Sequence, residues 1–160
     1  MVTTHNLGYP RIGEKRELKR ATEAFWKGEL SETQLEEAGA QIRRTNWLKQ
    51  RAAGMDLIPV NGFSFYDQTL DMTCLLGNVP SRFGWAGGHT DLNTAFTIAR
   101  GIQASAFPAG DDKDCQTGKV STFASEMTKW CDTNYHYIVP EFHAGTTFAL
   151  SGSKVFDEFK

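Results

Sequence analysis

The sequence predicts an α/β fold made of parallel βα units, and three observations carry that prediction. Short apolar strings near His5–Tyr9, Met55–Val60 and Tyr135–Phe142 are each followed by sequence of helical character. The opening stretch runs from a strand-like segment through Gly8, Pro10 and Gly13 into a basic helix, which is half of a βαβ unit. The chain has 160 residues, whereas a complete (β/α)8 barrel needs about 200 or more. The expectation is therefore a smaller open sheet or an incomplete barrel.

Each element has a local reason. The first helix is expected from about Glu14 to Trp26, because Leu18, Ala21 and Phe25 recur at helical spacing and Gly28 then breaks the run. Ser31 with Gln34 three residues on has the spacing of a capping box, so a second helix starts there. Leu35, Ala38 and Ile42 mark its buried side, and Gly54 ends it. Met55–Val60 reads as a buried strand closed by Asn61-Gly62. A third helix follows, from about Phe65 to Leu76, with Gly77 as its stop.

Residues 81–125 are rich in glycine and form the least regular region. Thr90 is the expected cap of one helix there, about Asp91 to Arg100. Gly110–Asp114 reads as a polar loop, and its aspartates lack the spacing of a calcium loop. Tyr135, Tyr137, Ile138 and Val139 have strand chemistry, and Pro140 fits only near that strand's end. Phe148–Ser151 reads as a short strand, and Lys154–Lys160 as the first turns of a helix. That helix has no terminator, so the chain is expected to continue beyond Lys160.

Bulk composition excludes several classes. Hydrophobic residues make up 40% and charged residues 22%, which suits a folded globular chain. A net charge of −2 argues against an extended nucleic-acid surface. Met1–Asn6 lacks the basic start and apolar run of a secretory leader, so none is expected, and no run of about 20 apolar residues would span a membrane. Cys74, Cys115 and Cys131 are odd in number and far apart, so a disulfide framework is not expected and a reducing, cytoplasmic setting is.

The candidate site lies at the first helix. Lys15 and Lys19 are four apart and Arg16 and Lys19 three apart, so their side chains share a face near a helix start that favours anions. A ligand with several carboxylates or phosphates suits that arrangement, and so does a plain solvated basic face. Glu17 could neutralise Lys19 or Arg20. Lys129, beside Trp130, is a second basic candidate or a lysine lying over an aromatic ring. His136, Glu141 and His143 could be imagined as metal ligands, but strand alternation sends 136 and 141 to opposite faces. Asp56, Asp67 and Asp71 could pair with basic groups, the last two from one helix face. Cys131 has no local base to activate it.

Several strings resemble one family in the right order. They are His5–Gly13 with Arg16-Glu17-Leu18-Lys19, Asp56–Val60, Phe65-Tyr66-Asp67, Leu75–Pro80, Glu126–Trp130 and Tyr135–Phe142. Together they resemble the amino-terminal start of cobalamin-independent methionine synthase, the 5-methyltetrahydropteroyltriglutamate–homocysteine methyltransferase. The resemblance covers most of 5–80 and 126–150 and is weak over a variable loop region of about 82–125.

It implies that residues 1–160 are the amino-terminal part of the first of two (β/α)8 barrels. Methionine would be made from methylfolate triglutamate and homocysteine without cobalamin. The zinc and its ligands would lie outside this chain, in a carboxyl-terminal barrel. Arg16, Glu17, Leu18, Lys19 and Lys129 match the motif that holds the folate's polyglutamate tail. On that view no residue here is catalytic, the chain alone is inactive, and an incomplete barrel exposes edges that favour self-association. The competing expectation is a stand-alone, non-catalytic anion-binding or scaffold module.

Overall fold

The computed structural model describes residues 2–102 and 121–159. The Gly110–Asp114 loop and Cys115 lie outside the described residues. The chain divides into two compact units, Met1–Phe65 with Lys154–Lys160, and Tyr66–Ser153.

The first unit is a helical hairpin of α1 (Glu17–Trp26) and α2 (Glu32–Ala52), joined by α5 (Lys154–Asp157). α2 begins as its sequence predicts. The Ser31 hydroxyl accepts the Gln34 N–H and the Gln34 side chain accepts the Ser31 N–H, satisfying two orphan donors of the first turn. Leu18, Ile42 and Phe63 form the core with Phe65 against them, and Phe63 and Phe65 meet edge to face at 5.2 Å. The close approach depends on Gly39 in α2, where a Cβ would stand 2.6 Å from Phe65 Cζ.

The second unit packs α3 (Gln68–Leu75), a single 3-10 turn (Ser81–Phe83) and α4 (Leu92–Arg100) with a two-stranded hairpin. The hairpin pairs β1 (Met127–Lys129) antiparallel with β2 (His136–Ile138), in the register Met127–Ile138, Thr128–Tyr137, Lys129–His136. Leu70, Cys74, Ala95, Ile98, Ala99 and Ile138 form its core.

The regular elements among the described residues are thus mostly helices, with one small antiparallel sheet, and no parallel βα unit is seen among them. The apolar strings near His5 and Leu57 meet in parallel, but only as one isolated bridge. A ladder needs successive residues to pair, and here the Asp56 and Leu57 N–H groups both converge on the Thr4 carbonyl.

Smaller expectations change too. α1 starts at Glu17 and not at Glu14, because Gly13–Arg16 first closes a turn through an Arg16 N–H to Gly13 carbonyl bond of 3.2 Å. α4 is capped by Asp91, whose carboxylate accepts the Thr94 N–H. Thr90 is buried, and its hydroxyl bonds the Cys74 and Ser151 carbonyls. Phe148–Ser151 forms no strand, although the Ala149 and Ser151 N–H groups bond the carbonyls of Leu76 and Leu75. β1 is a strand that its own composition did not announce.

Candidate functional site

The start of α1 is built by one left-handed residue. Arg16 sits at φ 61°, ψ 40°, and turns the chain from the Gly13 loop into the helix. The Leu18 N–H bonds the Ile12 carbonyl at 3.2 Å, tying the first turn to the loop before it. The Glu17 carboxylate reaches back to accept the Lys15 N–H at 2.9 Å. Gly13 leaves room for that carboxylate, since a Cβ there would stand 2.1 Å from Glu17 Oε2. A side chain two residues past a turn thus satisfies a donor inside it.

The sequence-expected residues of this stretch have different surroundings. Arg16, Glu17 and Lys19 are exposed, with Lys15 and Arg20 exposed beside them. Leu18 is only 2% exposed and belongs to the core, so its side chain fixes the helix and is not available to a ligand. Lys19 pairs with Glu23 at 3.5 Å, one turn on, with both side chains about half exposed. Arg20 donates to the Lys15 carbonyl, further bracing the turn. Among the described residues no ion pair engages Lys15 or Arg16.

Next to this turn, Tyr9, Pro10, Ile12 and Ile42 wall a cavity of about 310 Å³. Glu14 and Lys49 form an ion pair at its rim. That hydrogen bond holds the Glu14 carboxyl below the usual carboxylate range and the Lys49 ammonium above the usual lysine value. Asn46 ties the loop to α2 by donating to the Pro10 carbonyl at 3.2 Å.

Lys129 lies in the second unit, exposed at the end of β1 opposite His136. The chain then turns through Cys131 and Asp132, both left-handed at φ 47° and 58°. The Trp130 N–H bonds the Tyr135 carbonyl at 2.8 Å, and the Trp130 ring meets Tyr137 edge to face at 5.4 Å. The hairpin is anchored by Asp67, a residue whose position sequence reasoning misjudged. Asp67 caps α3 from outside and so does not share a helix face with Asp71; its carboxylate accepts the Leu70 N–H at 2.9 Å and the Ile138 N–H at 3.1 Å. Burial pushes its carboxyl above the usual aspartate range, against the pull of those donors.

The remaining candidates have other partners. His136 Nδ1 lies 3.1 Å from the Asn134 carbonyl, and His143 Nδ1 accepts the Gly145 N–H. Glu141 is held by the Arg82 guanidinium and by the Ser125 hydroxyl at 2.8 Å, which lowers its pKa. Among the described residues no three His, Cys, Asp or Glu side chains converge as a metal site. Among the described residues Asp56 pairs with no basic group; it accepts the N–H and hydroxyl of Thr4. No described helix is long and apolar enough to cross a membrane.

The start of α1 is thus a solvent-facing basic turn braced by a buried leucine, and helix N-termini with nearby cations favour anions. Residues 3–160 match the family described as cobalamin-independent synthase, N-terminal domain, and the chain belongs to that family. It is 49% identical over 160 residues to the 5-methyltetrahydropteroyltriglutamate–homocysteine methyltransferase of Salinibacter ruber, covering 100% of this chain and 20% of that protein. Proteins of the same name from Acidithiobacillus ferrooxidans and Vibrio cholerae are each 48% identical, over 100% and 99% of this chain and 18% and 19% of theirs. The chain therefore spans about a fifth of the length of these relatives.

Proposed function

We propose that this chain is the polyglutamate-holding, amino-terminal part of an enzyme that moves the methyl group of 5-methyltetrahydropteroyltriglutamate to homocysteine, giving methionine. The observation that carries the reading is the exposed basic turn at the start of α1, where Lys15, Arg16, Lys19 and Arg20 stand around a helix N-terminus. A γ-linked glutamate tail carries one α-carboxylate per inner residue, so it needs several spaced cations and little else. Each charge-assisted contact contributes about 1.5–3 kcal/mol when sheltered and about 0–1 when exposed. Lys129 supplies a further cation, and Glu17 and Leu18 set the geometry of the turn. In fold terms the chain is the first portion of an amino-terminal (β/α)8 barrel, whose sheet needs strands beyond this one.

The zinc of such an enzyme finds no fitting donor set among the described residues. No bond-making step is therefore assigned to this chain; its part is to bind and orient. Leu57, one half of the isolated His5–Leu57 bridge, and Leu7, two residues past His5, are both exposed, an edge that favours self-association of the isolated chain.

The test is Arg16→Ala, Lys19→Ala and Lys129→Ala in the intact protein. Each should raise KM for the triglutamate substrate about three- to tenfold, with homocysteine affinity nearly unchanged, and the loss should shrink as salt rises. Equal effects on both substrates, or none on the triglutamate, would overturn the reading.

A further inference from the structure

A hairpin of three residue pairs is marginal by itself, so something must hold the one that carries Lys129. The holding is done at one end and from one side. Ile138, 2% exposed, packs its side chain into the core with Leu70, Cys74 and Ile98. Its N–H is taken by Asp67 Oδ2, while Asp67 Oδ1 takes the Leu70 N–H at the start of α3. One carboxylate, 1% exposed, therefore joins a helix start to a strand 71 residues away.

The register then places Lys129. Ile138 pairs with Met127, and Lys129 follows two residues along β1, on the same face by strand alternation. No other residue intervenes between the anchored pair and the Lys129–His136 pair except Thr128 and its partner Tyr137. A shift at Ile138 is thus carried along the strand to the lysine.

We propose that Asp67 is the positioning residue for the Lys129 anion contact, its carboxylate fixing the hairpin against α3 so that the ammonium meets the polyglutamate tail. This rests on the reading of Lys129 given above. Asp67 itself touches no ligand. Its two functions separate chemically: a serine still caps a helix but is too short to serve the Ile138 N–H as well, and an asparagine offers one acceptor oxygen where two are used.

The experiment compares Asp67→Ser, Asp67→Asn and Lys129→Ala in the intact protein, with the triglutamate substrate and with homocysteine. The expected result is a three- to tenfold rise in triglutamate KM for both Asp67 variants, with kcat and homocysteine KM unchanged. Faster hydrogen exchange at the Ile138 amide should accompany it. On a Lys129→Ala background, Asp67→Ser should add no further rise. If Lys129→Ala is itself silent, this inference falls together with the reading of Lys129. If Lys129→Ala raises KM and Asp67→Ser, folded by circular dichroism, does not, only this inference falls. A parallel loss of kcat and of affinity for both substrates would assign Asp67 to general stability and overturn it as well.

Discussion

Glu17 accepts the Lys15 backbone N–H at 2.9 Å, folding its carboxylate back over the left-handed Arg16. In the anion site proposed above, the carboxylate of Glu17 would then shape the turn and not meet the anion. Charge and geometry oppose each other at this position, and substitutions separate them. Glu17→Gln keeps an acceptor oxygen and removes a negative charge, so tri-γ-glutamate should bind up to about fivefold tighter at low salt. Glu17→Ala loses the acceptor, and binding should weaken. Titration calorimetry of both variants checks the pair, and tighter binding by the alanine variant would mean that charge alone matters.

Gly39 fixes the packing of α2 on Phe65. Gly39→Ala drives a methyl to within 2.6 Å of the Phe65 ring, a clash of the kind that costs about 1–3 kcal/mol, and recovers about 1 kcal/mol of helix propensity. A net loss of about 1 kcal/mol is expected in urea unfolding. Adding Phe65→Leu should restore part of it, and failure to do so would place the strain elsewhere.

The Ser31 capping box is local and exposed. Ser31→Ala should cost about 0.5–2 kcal/mol by denaturant midpoint. Ser31→Asp should retain most of the stability, since aspartate caps as well.

Arg82 and Glu141 give the second unit an acid-sensitive contact. The hydrogen bond from Arg82 holds Glu141 below its ordinary value of 4.5, so the folded state binds its proton more weakly than the unfolded one. The contribution is present above about pH 4.5 and is lost as pH falls through the folded value. Both side chains are a third or more exposed, so its size is about 0–1 kcal/mol. Asp67 has the opposite sign. Its raised pKa makes its contribution full below 3.8 and lost as pH rises through the folded value. Unfolding measured from pH 3 to 7 should show Glu141→Gln with a shallower acid loss than the parent chain.

The described cysteines should differ sharply in reactivity. Burial pushes the Cys74 thiol up to about 12, with Asp71, Asp67 and Asp91 adding to the rise. At pH 8 only about one Cys74 in ten thousand is then a thiolate. Cys131 is exposed on the hairpin turn. Brief iodoacetamide treatment followed by peptide mass mapping should label Cys131 and spare Cys74 until denaturant is added.

What was legible in the sequence was local. The Ser31–Gln34 box and the Gly28 stop are decided within one or two turns, and each stands where it was expected. Decisions made at long range were not legible. Asp67 looked like a helix-face residue because Ile138, its partner, is 71 positions away. Thr90 and Asp91 are both good caps, and a tertiary contact with Cys74 and Ser151 took Thr90 out of the choice. Met127-Thr128-Lys129 is a strand only because His136–Ile138 lies beside it. For the site, the basic spacing was readable, whereas the burial of Leu18 and the inward fold of Glu17 were not.

Arg16 holds a backbone conformation that glycine adopts without penalty and that an L-residue reaches at a cost of about 1–2 kcal/mol. With Arg16 in the proposed role of a tail-binding cation, stability and recognition ask for different residues at this one position. A library at residue 16 sorted for heat resistance should enrich glycine, and the same library sorted for retention on a polyglutamate resin should enrich arginine. The guanidinium at the mouth of α1 is there against the preference of its own main chain.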